Sequence, residues 1–179
     1  LDFKLRITII PPPAPWSNLY SLLFDGVDDY LNLGDSNTFT FGNSLTDSPF
    51  TFSLWAKINE GSQTALFAKS TSIAREYHTV TSASDLLRIR LYDHSTGGYI
   101  QSEMDGAIST SGWRNYVFTY DGSGLQTGIK IYVNGSAPAQ TTSISGTYTA
   151  MENTTADLRI GTSEQNSFYF DGNIDEFAL

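Results

Sequence analysis

Along the chain, large apolar residues recur at every second position in short runs, and no long stretch keeps the 3.6-residue spacing of a helix. The clearest run is Phe50-Thr51-Phe52-Ser53-Leu54-Trp55-Ala56-Lys57-Ile58, and Ile129-Lys130-Ile131-Tyr132-Val133 repeats it. Successive side chains of a strand point to opposite faces, so each run has one face to bury. The runs predict strands over 19–24, 30–33, 50–58, 64–69, 77–81 and 86–93, then over 99–104, 114–120, 128–133, 157–160 and 173–178. Gly, Asn, Asp and Ser separate them, and Asn134-Gly135, Asp121-Gly122 and Asp171-Gly172 are pairs that accept the positive φ of tight antiparallel turns. This many strands on one core cannot lie in one open sheet without wetting apolar faces. An all-β antiparallel sandwich of two stacked sheets is predicted.

Residues 1–15 read differently. Asp2 to Ile10 alternates like one more half-buried strand, and Pro11-Pro12-Pro13-Ala14-Pro15 ends it, because prolines lack N–H donors and favour an extended polyproline spacer. We therefore divide the chain into an N-terminal strand with a proline-rich linker, 1–15, and a sandwich domain, 16–179. A start at Leu1 rather than Met, and an end at Leu179 inside an apolar alternation, predict a piece of a larger polypeptide.

Charge narrows the partners. Ten Lys and Arg against 19 Asp and Glu give a net charge of −9, which repels a phosphate backbone or an anionic membrane surface, so nucleic acid is not an expected partner. No run approaches the ~20 apolar residues of a membrane helix, and no membrane insertion is expected. Cysteine is absent, and a chain of 179 residues buries an adequate core without disulfides.

Four phrases go further: Phe24-Asp25-Gly26-Val27-Asp28-Asp29-Tyr30-Leu31-Asn32-Leu33-Gly34, Phe52 to Lys57, Trp113 to Gly122, and Phe170-Asp171-Gly172-Asn173-Ile174-Asp175-Glu176-Phe177. With Ile129 to Gly135 and Leu158 to Gly161, they resemble, in order, the laminin G-like jelly-roll domains of the concanavalin A-like lectin/glucanase superfamily, over roughly Leu19 to Leu179. The resemblance implies a jelly-roll sandwich serving as a recognition module for carbohydrate or glycoprotein, extracellular, at a cell surface or in a virion. It equally allows a structural or protein-interaction domain that packs against a neighbouring protein domain. Fold alone does not choose between these.

Acidic residues gather in the first and last phrases. If the first and last strands pair, as in the resembled family, Asp25, Asp28 and Asp175 converge, with Asp29, Asp171 and Glu176 nearby. Calcium takes six to eight oxygen ligands from such loop-to-strand junctions, so a structural calcium is the candidate cofactor. Asp-Gly pairs and Asp28-Asp29 also serve ordinary turns, and that alternative stands beside it. For a sugar ligand, Arg88, Arg90 and Tyr92 fall on one face of their strand while Leu87, Ile89 and Leu91 take the other. With Tyr99, Tyr77 and His78, and with Arg75, Glu76 and Gln101 beside them, they supply rings for stacking and forked donors for hydroxyl pairs. The concave face of a sheet, or its rim loops, is the expected place for such a ligand surface, and a plain solvated strand face is the competing reading. Trp55 and Trp113 are expected in the core. No strand carries the alternating Glu and Asp pair of the resembled glucanases, and no nucleophile motif accompanies His78 or His94, so no catalytic centre is expected.

Overall fold

The computed structural model describes residues 21–59, 63–163 and 168–179. The strand expected over 2–10, the proline linker and the start of the strand expected over 19–24 lie outside the described residues. Among the described residues twelve strands follow in chain order: β1 (Leu22–Asp25), β2 (Leu31–Asn32), β3 (Phe50–Ile58), β4 (Ala65–Ser70), β5 (Arg75–Thr81), β6 (Leu87–Tyr92), β7 (Tyr99–Met104), β8 (Arg114–Tyr120), β9 (Ile129–Val133), β10 (Gln140–Ser145), β11 (Leu158–Ile160) and β12 (Asp171–Ala178). They form a five-stranded sheet, β1-β12-β3-β8-β9, and a seven-stranded sheet, β10-β7-β6-β5-β4-β11-β2, with every pairing antiparallel.

The inner faces meet in one aromatic-rich core. From β3 come Phe50, Phe52, Leu54, Ala56 and Ile58, and from β8 come Tyr116, Phe118 and Tyr120; Phe67, Tyr77, Leu87, Ile89 and Leu91 face them from the other sheet. Phe52 and Phe67 lie 4.5 Å apart between ring centroids, and Phe67 and Phe118 meet edge-on at 5.4 Å. Burial of apolar surface on this scale, at ~25 cal/mol per Å², is what holds the sheets together.

β10 was not expected. Its sequence, Gln-Thr-Thr-Ser-Ile-Ser, lacks an apolar alternation because it is an edge strand, paired only to β7 and largely wet on both faces. Asp171-Gly172 is also not a turn: both residues belong to β12. Gly172 has φ +144°, and a Cβ there would fall 2.1 Å from the Lys57 carbonyl oxygen, so its missing side chain admits the backbone of β3. Asn134-Gly135, with φ +50° and +76°, does turn the chain tightly, between the bridged residues Val133 and Ser136.

Asp47 and Asp93 hold the loops at one end. Asp47 accepts hydrogen bonds from the Tyr120 and Tyr148 hydroxyls, at 2.8 and 2.7 Å, and from the Met151 N–H. Asp93 accepts from the Thr96 and Thr149 N–H groups. Burial raises the Asp47 carboxyl above its usual range despite those bonds. At Asp93 burial pushes up as well, but the hydrogen bonds from Thr149, Thr96 and Ser95 outweigh it and hold the group low.

Candidate functional site

The outer face of the seven-stranded sheet carries the polar and aromatic residues singled out above. Leu87, Ile89 and Leu91 are fully buried in the core, so Arg88, Arg90 and Tyr92 project the other way; there Arg88 and Arg90 are half-buried, whereas Tyr92, like His78 beside it, is itself buried. Register places His78 beside Arg90, Arg90 beside Gln101 and Gln101 beside Ser143, while Tyr92 opposes Tyr99 and Tyr99 opposes Ser145. The same row continues from His78 through Ala68 and Arg159 to Asn32 of β2, crossing all seven strands.

Contacts fix this surface. Arg90 donates from Nε and Nη2 to Gln101 Oε1, at 3.0 and 2.8 Å, and from Nη1 to the Tyr92 hydroxyl at 3.2 Å. Its guanidinium lies 4.0 Å from the Tyr99 ring centroid, and that of Arg75 lies 4.9 Å from the Tyr92 ring. Arg88 pairs with Glu103 at 3.6 Å. His78 packs edge-on to Tyr92, its Nε2 3.4 Å from the hydroxyl, and its Nδ1 is buried with no partner. Burial first, then the charges of Arg90, Arg88 and Arg75, lower the His78 pKa to about 3, so its ring is neutral at ordinary pH.

Tyr77 does not join this face. It is fully buried in the core, and its hydroxyl donates to the Phe39 carbonyl at 2.8 Å. Adjacent strand residues face opposite ways, so Tyr77 and His78 cannot both line one surface. Arg75 does join it. The register between β4 and β5 shifts at Lys69 and Ser70, and Arg75 reaches the Tyr92 ring while Glu76 turns to the buried ammonium of Lys69, 3.1 Å away. Such a shift leaves no mark in the alternation of residue types. Burial raises the Glu76 carboxyl, opposed by the Thr154 N–H and by Lys69. Lys69 also meets Asp35 at 2.8 Å.

The acidic residues assemble elsewhere. β1 pairs with β12 and sets Asp25 opposite Asp171. Oxygens of Asp25, Asp28 and Asp29, all exposed, lie within 4.8 Å of one another. Asp25 Oδ1 accepts from the Val27 N–H at 2.9 Å, and Asp29 Oδ2 accepts from the Asp25 N–H at 3.2 Å, so the turn uses part of this oxygen set. Asp175 is outside the group: it pairs with Trp55, four residues beyond Asp171 along β12, roughly 13 Å at strand rise. An open, polar cleft of about 440 Å³ adjoins, lined by Asp25, Thr64 and Asp171 among others.

Trp55 and Trp113 are half-buried rather than core residues. They line a shallow depression with Asn115 and Asn134 on the outer face of the five-stranded sheet. The alternation within β3 carries this signal, since Trp55 shares parity with Thr51, Ser53 and Lys57 and not with Phe52 and Leu54.

This arrangement of sheets and register meets a known pattern. A laminin G-type family model, described as the concanavalin A-like lectin/glucanases superfamily, matches residues 25–179. The chain belongs to this laminin G-like superfamily. No curated protein sequence matches it. Among the solved structures that share its fold at low identity are these three. Domain 4 of the extracellular GH43 arabinanase AbnA from Geobacillus stearothermophilus, in complex with arabinotriose, has a TM-score of 0.60 at 17% identity, over 88% of this chain and 68% of that one. Domains LG4-5 of the mouse laminin alpha1 chain give 0.57 at 11%, over 88% of this chain but only 40% of that one. The Ruminococcus gnavus IT-sialidase CBM40 bound to α2,3 sialyllactose gives 0.55 at 10%, over 91% and 95%. The laminin G-like chain is thus a jelly-roll sandwich with a lectin-like fold. Among its described residues no helix is long and apolar enough to cross a membrane.

Proposed function

We propose that the protein is a non-catalytic recognition module that binds carbohydrate or glycoprotein on the outer face of the seven-stranded sheet, in a secreted or surface-exposed setting. The observation that carries this reading is the Arg90, Tyr99 and Gln101 constellation, in which a partly exposed ring and fixed polar side chains share one sheet face. A pyranose ring needs an apolar face to stack on and donors and acceptors for its hydroxyls, and that face supplies both. The likeness to modules solved in complex with arabinotriose and with sialyllactose supports the ligand class. A glycan array tests it: retained signal on a defined saccharide family is expected, and blank arrays with and without chelator would overturn it.

A structural calcium belongs to the same proposal. Asp25, Asp28 and Asp29 present hard oxygen donors on a loop-to-strand junction, a donor set that fits calcium; the bound ion would tie the turn between β1 and β2 together. A ligand that binds only the native state raises stability, so chelator is expected to lower the melting temperature. An unchanged melting temperature would remove the ion from the account.

One observation favours the alternative, a structural or protein-interaction domain. The sheet-edge strands β1 and β2 leave Leu22, Leu23, Tyr30 and Leu31 exposed on their flanks. Sedimentation of the chain at rising concentration reads that surface out: self-association supports it, and a monomer throughout argues against a self-partner.

A further inference from the structure

We propose that the saccharide recognised on this face is acidic, its carboxylate or sulfate seated against Arg75 and Arg90 beside the Tyr92 and Tyr99 rings. The inference rests on the carbohydrate-binding reading and specifies the ligand class of that same site.

The chain as a whole carries a net charge of −9, yet Arg75, Arg88 and Arg90 meet on one patch of it. Arg88 has a carboxylate partner in Glu103. Arg75 and Arg90 have none: among the described residues, no carboxylate lies within ion-pair distance of either. Arg90 spends its hydrogen bonds on a neutral amide and a neutral hydroxyl, which orient the guanidinium without cancelling its charge. Arg75 lies over the Tyr92 ring, 4.9 Å from its centroid, and Arg90 lies 5.8 Å from the same centroid, so the two charges flank one aromatic. The row through His78, Arg90, Gln101 and Ser143 contains no acid.

A face that served only solubility would intersperse both signs, because adjacent like charges repel. Concentrating one sign creates a local potential that attracts an oppositely charged ligand. Burial first, and then the charges of Arg90, Arg88 and Arg75, keep the His78 imidazole beside them neutral, so it adds no further positive charge to the patch. A guanidinium is a planar fork that matches the paired oxygens of a carboxylate or sulfate, and stacking on a ring holds it ready. Ser143 and Ser145 stand opposite Gln101 and Tyr99 on β10 and offer hydroxyls for the neutral part of the sugar.

The test is isothermal titration of the whole chain with matched pairs: α2,3-sialyllactose against lactose, trigalacturonate against its methyl ester, and a 6-sulfated galactoside against the unsulfated one. The acidic member of at least one pair is expected to bind at least ~10-fold tighter, and more weakly as salt rises, since the attraction is screened. The carboxylate and sulfate arms identify which anion is read. Gln101→Glu, which gives Arg90 a counter-charge in place, is expected to weaken acidic binding ~10-fold while leaving the melting temperature unchanged or higher, and Arg75→Gln to weaken it similarly. Equal affinity for acidic and neutral members overturns the acidic inference and leaves carbohydrate binding intact. Failure of every member to bind overturns both.

Discussion

Arg90 and Gln101 face each other across β6 and β7, and a single amide oxygen accepts two hydrogen bonds from the guanidinium, at 3.0 and 2.8 Å. The amide holds the arginine in place over Tyr99 without neutralising it. A glutamate there would have made a surface ion pair, ordinarily worth little to stability. The neutral partner leaves a positioned charge open to the outside.

Tyr99 is the part of this surface that stacks both on Arg90 and, in our account, on the sugar. Tyr99→Ala is expected to reduce saccharide affinity at least ~10-fold, with stability falling by no more than about 1 kcal/mol, since the ring is only half-buried. Titration and urea denaturation of the same variant separate the two effects.

Lys69 and Glu76 form an ion pair with both side chains fully out of solvent. Removing one partner strands the other charge, so Lys69→Met is expected to cost about 3–5 kcal/mol in urea denaturation. The double variant Lys69→Met with Glu76→Gln should recover much of that loss. A double variant no more stable than the single one would show that packing, not charge, dominates at this position.

His78 predicts a pH dependence. Its folded pKa lies at about 3, well below the ordinary histidine value of about 6.5, so the unfolded chain takes up the proton first as pH falls. Stability from this group is complete above about pH 6.5 and is lost progressively toward pH 3, by about 2 kcal/mol at pH 5. Asp47 and Glu76, both raised by burial, act in the opposite sense as pH rises. The measurement is therefore a difference: between pH 7 and 5, wild type should lose about 2 kcal/mol more than His78→Gln.

Gly172 tests the close approach of β12 to β3. Gly172→Ala puts a methyl 2.1 Å from the Lys57 carbonyl oxygen, and a destabilisation of at least about 2 kcal/mol in urea is expected.

The sequence shows strands wherever one face is dry. β3, β7 and β8 start and stop at the expected residues because each alternates cleanly against the core. β10 stays hidden because a wet edge strand asks nothing of its residue types beyond β-compatible Thr and Ser. The same logic covers the candidate site. Arg88, Arg90 and Tyr92 are legible from alternation with Leu87, Ile89 and Leu91, and alternation also sets Tyr77 on the face opposite His78, whereas Arg75 and Glu76 depend on a register shift that backbone pairing decides. Asp25 and Asp171 meet because β1 pairs with β12, but composition could not say that Asp175 would lie four residues too far along.

The most direct test is an NMR titration of the ¹⁵N-labelled chain with the tightest-binding saccharide, following each backbone amide. Shifts are expected to concentrate in β5, β6 and β7, at residues around His78, Arg90 and Gln101, with the five-stranded sheet unmoved. Shifts centred instead on Trp55 and Trp113 would contradict a site on the seven-stranded sheet.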